Sequence, residues 1–231
     1  MHHLTEHVCA NAQGAARRLA AVIAGHLSDA IAAREVATLA LSGGRSPVPL
    51  FEALQDAALP WERVIVAQVD ERWVPADHED SNARLIRTHL LCGPAAAARF
   101  VPMENDAADP QSGQPACEAA MRSLPLPFDV TLLGMGEDGH TASLFPKAEQ
   151  LDEALSTRAL TIAVTPPAAP HARMSLTAAG LLNSRLLILQ IGGAAKQAVY
   201  RAALSPGPVE EMPVRVALHQ EQVPVEVWIN D

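Results

Sequence analysis

Short apolar runs alternate with segments of helical hydrophobic periodicity along most of the chain. Apolar runs of about four to eight residues are typical of buried strands, whereas apolar residues that recur every third or fourth position are typical of helices. Parallel strands need a crossover of roughly a dozen residues or more, usually a helix. The alternation therefore predicts an α/β fold with a mostly parallel, twisted sheet and helices on both faces.

The individual elements follow from the same patterns. The expected strands are 36–41, 64–69, 100–102, 129–133, 159–164, 174–176, 186–191 and 225–229. The expected helices are 5–33, a segment opened by Ser46 as N-cap and Pro47 as first residue, 80–91, 114–124 and 194–204. No repeat or interdomain linker interrupts them, so residues 1–231 are predicted to form a single domain.

Composition excludes several classes of partner. The net charge is −9, which disfavours nucleic acid and anionic membranes but leaves room for a small anion held by local cations. No apolar run approaches the roughly 20 residues that cross a bilayer, and the N-terminus lacks the pattern of a signal peptide. Cys9, Cys92 and Cys117 are widely spaced, as is typical of reduced thiols. We expect a cytoplasmic protein, either a monomer or a small homo-oligomer.

The segment 128–146 carries the most information about function. Its apolar run breaks into glycines and a charged turn, and the turn ends at His140. Ligands of open α/β sheets sit beyond the carboxyl ends of the strands, where this histidine is expected. Histidine also titrates near neutral pH, so His140 is a candidate general base. Asp138 either orients His140 or only forms a turn with Gly139.

The same segment contains a match to the dinucleotide fingerprint GxGxxG at Gly134, Gly136 and Gly139. In that fingerprint, bare backbone and a helix N-terminus approach a pyrophosphate. Here Glu137 and Asp138 precede the third glycine and would repel the anion. The context therefore argues against a dinucleotide site.

A second glycine-rich turn follows the first predicted strand. Ser42, Gly43, Gly44 and Arg45 lead into a predicted helix. Glycines allow backbone N–H groups to face a ligand, and the helix terminus favours an anion. The lysine of a nucleotide P-loop is missing. The turn is predicted to bind a phosphate, the alternative being a tight capped turn without a ligand.

Charged residues stand at further strand ends and at one helix start. Asp70 and Arg72 end the second strand, where burial of charge is costly unless the groups pair or bind a ligand. Arg173 and Lys196 are either solvated surface charges or the cations of a shared anion site. Lys196 opens a helix, a position that the helix dipole disfavours for a cation.

No motif for a metal or for a serine nucleophile is present. His2, His3 and His7 would share a helix face but lack an acidic partner in a defined pocket, and there is no HExxH, CxxC or GxSxG. We therefore predict no metal site.

Five motifs together resemble the 6-phosphogluconolactonases of the glucosamine-6-phosphate isomerase/6-phosphogluconolactonase superfamily. They occur in the family's order and span most of the chain. They are LALSGGRSPVPLFEAL (39–54), QVDERWVP with DSNARLIRTHLL (68–91), FDVTLLGMGEDGHTASLFP (128–146), RMSLT (173–177) and GGAAKQAVYRAAL (192–204).

The resemblance implies a Rossmann-like fold and hydrolysis of 6-phospho-D-glucono-1,5-lactone in the oxidative pentose phosphate pathway, without a metal or cofactor. It places His140 as the general base, with Asp138 and Asp70 in supporting catalytic roles. It also implies that the turn 42–45 lies near the substrate phosphate, together with Arg173 and Lys196. Arg72 would line the sugar side.

The sister isomerase/deaminases offer the main alternative function. They share the Asp-Gly-His core but resemble DGHIAFNEP, in which a glutamate five residues after the histidine supports acid/base work. In this chain that position is Phe145, which cannot move protons, so lactone hydrolysis is favoured. A sugar-phosphate sensor fused to a transcription regulator would need a helix-turn-helix and a basic face, which the sequence does not offer.

Overall fold

Two sheets organise the protein, whose computed structural model describes residues 4–230. The strands in chain order are β1 (Leu4–Cys9), β2 (Ala37–Leu41), β3 (Val64–Gln68), β4 (Asp70–Arg72), β5 (Arg99–Val101), β6 (Val130–Leu133), β7 (Thr161–Val164), β8 (Arg173–Leu176), β9 (Leu187–Gly192) and β10 (Val225–Asn230). The helices are α1 (Ala12–Arg34), α2 (Val48–Leu54), α3 (Asn82–His89), α4 (Pro110–Arg122), α5 (Leu151–Ser156), α6 (Ala178–Leu182), α7 (Ala194–Leu204) and α8 (Arg215–Leu218).

The larger sheet has seven strands in the order β1-β10-β9-β6-β2-β3-β5, and every neighbouring pair is parallel. Side chains alternate between two apolar layers, as the pleat requires. In β2, Leu39 and Leu41 pack with α1 and α2, while Ala40 belongs to the core on the opposite face. The predicted α/β class, with a mostly parallel sheet covered on both faces, is confirmed.

The strand order places a crevice at the middle of this sheet. From β2 the chain continues outward to β3 and β5, whereas from β6 it continues in the other direction to β9 and β10. Strands β2 and β6 are neighbours, so the connections leave their carboxyl ends on opposite sides. Open α/β sheets bind ligands at such a point, where the connections of two neighbouring strands run in opposite directions.

The N-terminus departs from the prediction of one helix over 5–33. Residues Leu4–Cys9 form an edge strand that pairs with β10, and α1 begins only after Asn11. The Asn11 side chain accepts a hydrogen bond from the Gly14 N–H at 2.8 Å, which fixes the start of the helix. His7 therefore lies on a strand, while His2 and His3 fall outside the described residues.

Two other helix starts differ from the sequence prediction. Helix α4 begins at Pro110 rather than at 114, because Asp109 and Ser112 form a reciprocal capping box. Helix α2 begins at Val48, with Pro47 as its cap residue and no side-chain cap, so Ser46 does not have the N-cap role predicted for it.

The smaller sheet, β4-β8-β7, is antiparallel and was not predicted. Asp70–Arg72 is a strand of this second sheet and not the end of β3. Arg72 pairs in register with Arg173, and the Trp73 N–H extends the pairing by donating to Ala172 O at 2.8 Å. This sheet brings two segments with predicted site residues next to each other, Asp70–Arg72 in β4 and Arg173 in β8.

None of the described helices is both long enough and apolar enough to cross a membrane.

Candidate active site

The crevice between β2 and β6 contains a cavity walled by most of the residues predicted for the site. Its walls come from the ends of β2, β4, β6 and β9 and from the start of α7. The lining residues are Ser42, Gly43, Gly44, Arg45, Ser46, Pro47, Asp70, Arg72, Asn82, Leu132, Leu133, Gly134, Met135, Gly136, His140, Ala142, Gln190 and Lys196.

The turn after β2 is held against the turn after β6. Ser42 Oγ accepts a hydrogen bond from the Gly134 N–H at 3.2 Å, and the Ser42 N–H donates to Leu132 O at 3.0 Å. Gly44 has φ +89°, a conformation that side-chain-bearing residues rarely adopt. The turn is therefore a fixed part of the cavity wall, and the exposed Arg45 follows it.

His140 is oriented by a carboxylate and by the backbone of its own loop. Its Nδ1 lies 2.5 Å from Asp138 Oδ1, and the Gly136 N–H donates to His140 O at 2.9 Å. A Cβ on Gly136 would lie 2.1 Å from Nδ1, so only glycine leaves space for the ring. An ionised carboxylate only accepts hydrogen bonds, so Nδ1 carries the proton and Nε2 has a free lone pair.

The charge of Asp138 is maintained by this contact. The hydrogen bond from His140 lowers the pKa of Asp138 below its ordinary range. The carboxylate therefore stays ionised at neutral pH and remains an acceptor for Nδ1–H. Both alternatives for Asp138 have a counterpart in the structure, because the same oxygen contacts Nδ1 and accepts a turn-type hydrogen bond from the His140 N–H at 3.1 Å.

Asp70 is buried and fixed by two side chains. Its Oδ2 accepts a hydrogen bond from Ser143 Oγ at 2.7 Å, and its Oδ1 lies 3.4 Å from Asn82 Nδ2. The backbone carbonyl of Asp70 accepts a second bond from the same Asn82 amide at 2.9 Å. A carboxylate held in this way faces the cavity with a single orientation.

Two cations, Arg72 and Lys196, reach the cavity wall from different elements. Arg72 Nη1 donates to Asp80 O at 2.6 Å, and its buried Nε has no hydrogen-bond partner within residues 4–230. Lys196 is the third residue of α7 and is half-buried. A cation at a helix N-terminus is unfavourable with respect to the dipole, which a bound anion would offset.

Arg173 is a third predicted cation of the site, although it is not among the residues that line the cavity. Its side chain is buried, donates from Nη2 to Pro170 O at 3.0 Å, and lies 5.9 Å from the centre of the Phe145 ring. Burial lowers the pKa of Arg173, and the nearby charge of Asp70 partly offsets the shift. Its contact with the substrate phosphate stays a prediction.

Sequence comparison now identifies the group of proteins that share this arrangement. The family model described as glucosamine-6-phosphate isomerases/6-phosphogluconolactonase matches residues 10–227. The chain belongs to this family.

Relatives within the family are similar over nearly their full length. The 6-phosphogluconolactonase of Pseudomonas aeruginosa is 45% identical over 205 residues, which cover 88% of this chain and 86% of that protein. The crystal structure of a 6-phosphogluconolactonase from Shewanella baltica superposes with a TM-score of 0.97 at 39% identity, covering 99% of this chain and 98% of the other.

The structure of a monomeric glucosamine-6-phosphate deaminase has a TM-score of 0.79 at 21% identity, with 98% of this chain and 97% of the other covered. At that identity the likeness concerns the fold alone. Phe145, at the position where the deaminases are expected to have a glutamate, places its ring centre 4.4 Å from that of His140. Its part in the choice between the two activities stays a prediction.

Sequence reasoning missed two cavity-lining residues, Asn82 and Gln190. Asn82 fell within the predicted helix 80–91 without a role, yet its buried amide donates to Asp70 O and lies close to Gly43. Gln190 is a polar residue in an otherwise apolar strand, which is the sequence signal that could have identified it. Its Nε2 lies 3.4 Å from Ser46 O.

Replacement of Gly43 by alanine is expected to disrupt the cavity. The new Cβ would lie 1.8 Å from Asn82 Oδ1, so either the turn or the Asn82 amide must move. Because a displacement of about 1 Å at a site can cost up to about 100-fold in rate, we expect kcat/KM to fall about 10- to 100-fold.

Gly25→Ala in α1 is the matched control for Gly43→Ala. No atom lies within 4 Å of a Cβ at that position, and alanine favours a helix by about 0.5–1 kcal/mol. Steady-state kinetics and thermal melts of both variants test the expectation. Full activity of Gly43→Ala would show that the contact with Asn82 does not constrain the site.

Proposed function

We propose that the protein hydrolyses 6-phospho-D-glucono-1,5-lactone to 6-phospho-D-gluconate, a step of the oxidative pentose phosphate pathway in the cytoplasm. The observation that carries the proposal is His140 on the cavity wall, with its Nδ1 held 2.5 Å from Asp138 Oδ1 and its Nε2 free to accept a proton. The names of the similar 6-phosphogluconolactonases support it.

The chemistry follows from the nature of a δ-lactone, which is an activated ester and needs no covalent nucleophile. His140 Nε2 takes a proton from a water molecule as its oxygen bonds to C1. Asp138 stabilises the imidazolium that forms, because it accepts the Nδ1–H bond and stays ionised. General-base assistance of this kind contributes about 10²- to 10⁴-fold to the rate.

The intermediate then collapses as the bond between C1 and the ring oxygen breaks. The proton on His140 passes to that ring oxygen, which becomes the C5 hydroxyl, and the carboxylic acid ionises. Negative charge on the former carbonyl oxygen needs donors, which Arg72 and the loop N–H groups supply in this proposal. Asp70, held by Ser143 and Asn82, orients the sugar hydroxyls.

The substrate phosphate is assigned to the turn Ser42–Gly43–Gly44–Arg45 and to Lys196 across the cavity. The turn precedes α2, and charge-assisted hydrogen bonds from Arg45 and Lys196 would orient the lactone. Binding energy from this remote group contributes to the rate by fixing the ring against His140. Arg173 stays a proposed cationic partner of the phosphate, as the resemblance implies.

Lys196→Ala is expected to lower kcat/KM for the phosphorylated lactone about 10- to 100-fold. A hydrogen bond to a charged group is worth about 1.5–3 kcal/mol, which corresponds to that range. The rate with unphosphorylated gluconolactone should stay unchanged, because that substrate makes no contact with Lys196.

The matched control is Lys147→Ala, at the chain's only other lysine, which is exposed and outside the cavity. Both variants should be compared with the two lactones. An unaltered preference for the phosphorylated lactone in Lys196→Ala would remove this lysine from the phosphate site.

A substrate panel tests the proposed function against the isomerase/deaminase alternative. The purified protein is given fresh 6-phosphogluconolactone in a pH-stat and, separately, glucosamine 6-phosphate with an ammonia assay. We expect acid release from the lactone above the spontaneous rate and no ammonia, since Phe145 offers no proton. Ammonia release without lactonase activity would refute the proposal.

A further inference from the structure

Three metal-ligating side chains meet outside the cavity. His78, Asp80 and His171 each place a ligand atom within 4.8 Å of the ligand atoms of the other two. None of them lines the cavity or takes part in the proposed hydrolysis. Sequence spacing could not show the group, because 91 residues separate Asp80 from His171.

The antiparallel sheet explains why these side chains come together. Strand β4 leads into the turn that holds His78 and Asp80, whereas β8 begins directly after His171 and Ala172. The two strands pair in register, so the end of one lies beside the start of the other. The Trp73 N–H donates to Ala172 O at 2.8 Å and extends the pairing toward the cluster.

The turn that carries His78 and Asp80 is itself fixed by the backbone. The His78 N–H donates to Pro75 O at 2.8 Å, and the Ser81 N–H donates to His78 O at 3.0 Å. Ser81 then caps α3 by accepting from the Arg84 N–H at 3.1 Å. The backbone that carries His78 and Asp80 is therefore fixed by hydrogen bonds before and after these two residues.

The two histidine rings approach the same carboxylate oxygen of Asp80. Asp80 Oδ2 lies 2.9 Å from His171 Nε2 and 3.9 Å from His78 Nδ1. The imidazole planes cross at 76°, with ring centres 5.4 Å apart. A cation bound by both rings and the carboxylate would replace two hydrogen bonds, the one between His171 and Asp80 and the one that His78 Nδ1 accepts from the Asp80 N–H at 3.1 Å.

The charges around the cluster suit a cation. Asp77 and Glu79 flank His78, so the turn carries three carboxylates within four residues when Asp80 is included. Arg72 is held at the Asp80 carbonyl, on the backbone rather than at the carboxylate.

We propose that His78, Asp80 and His171 form a binding site for a divalent transition metal, with Zn²⁺ the best match. Two imidazole nitrogens and one carboxylate oxygen are ligands that Zn²⁺ prefers, and three protein ligands leave its fourth position open. His171 adopts φ +67°, a backbone conformation that costs energy and that this site exploits to aim the ring.

A metal at this site would join the turn after β4 to the start of β8. It would also restrain Asp80, whose carbonyl holds the Arg72 guanidinium at 2.6 Å beside the cavity. Metal binding should therefore raise the melting temperature of the protein, since it stabilises only the folded state.

Isothermal titration of the chelator-treated full-length protein with Zn²⁺ tests the proposal. We expect one site whose affinity falls at least about 10-fold in His78→Ala and in His171→Ala, together with loss of the thermal shift. Substitution with Co²⁺ should give the visible absorption bands of a four-coordinate site in the wild type and not in His171→Ala.

Two control variants separate this site from other histidine–carboxylate pairs. His89 lies 3.1 Å from Glu52 without a third ligand in the described part of the chain, so His89→Ala should bind Zn²⁺ as the wild type does. His140→Gln should also retain the site. Equal binding by wild type and His171→Ala, loss of binding in His140→Gln, or no binding by the wild type would each overturn the proposal.

Discussion

Replacement of His140 by glutamine should reduce kcat with 6-phosphogluconolactone by about 10²- to 10⁴-fold, the range of general-base catalysis. Glutamine has a similar reach but cannot accept the proton of the attacking water. KM should change little, because the phosphate contacts at Lys196 and at the turn 42–45 are left intact. Stopped-flow or initial-rate kinetics with subtraction of spontaneous hydrolysis provide the measurement.

Asp138 adds a second readout for His140. The hydrogen bond from His140 lowers the pKa of Asp138, so this carboxylate stays ionised and keeps accepting from Nδ1–H. Asp138→Asn should cost less than removal of the base itself.

His89→Gln is the matched control, because His89 also pairs with a carboxylate but lies outside the cavity. Its activity should equal that of the wild type. If folded His140→Gln kept the wild-type rate, or if His89→Gln lost as much activity, the assignment of the general base would be wrong.

Among the variants described, Glu71→Ala should cause the largest loss in the free energy of unfolding. Glu71 lies in β4 and is fully buried, and its carboxylate contacts the N-terminus of α3. Its two oxygens accept hydrogen bonds from the N–H groups of Arg72, Asn82 and Ala83 and from the side chains of Gln68 and Ser81. Removal leaves buried donors without partners, so we expect a loss of about 3–5 kcal/mol in the free energy of unfolding.

The measurement is denaturant unfolding of Glu71→Ala, with Glu62→Ala as the control at an exposed carboxylate. Glu71→Gln should also be destabilised, because its amide N–H₂ would face N–H donors. A loss below about 1 kcal/mol for Glu71→Ala would show that water or rearranged side chains satisfy the freed donors.

Glu71 also predicts a pH dependence of stability. Burial raises the pKa of Glu71, and hydrogen bonds from Asn82 and Gln68 offset the shift only in part. A carboxyl whose pKa is higher in the folded state contributes stability at low pH that is lost as the pH rises through that pKa. The stability advantage of the wild type over Glu71→Gln should therefore shrink as the pH rises from acid toward neutral.

Local sequence patterns predicted the parts of the site that depend on local structure. The apolar run before Gly134 predicted a strand that ends in the His140 loop, and that strand lies in the middle of the larger sheet. The glycine turn at 42–45 was likewise expected at the end of its strand. Each of these segments needs only strand periodicity and glycine chemistry to be recognised.

Non-local pairing explains what the sequence did not reveal. Strand β4 has three residues and pairs with β8 about a hundred positions later, so nothing local marks Asp70–Arg72 as part of a second sheet. That sheet places Arg173 in register with Arg72. The edge strand β1 was taken for a helix for the same reason, because its partner β10 is at the other end of the chain.

The rate at which the wild type forms 6-phosphogluconate is the most direct test of the account. Freshly prepared 6-phosphogluconolactone is coupled to 6-phosphogluconate dehydrogenase, and cofactor reduction is followed with and without the protein. The account predicts a rate proportional to protein concentration, well above spontaneous ring opening, and lost in His140→Gln. A wild-type rate equal to the spontaneous rate would contradict it.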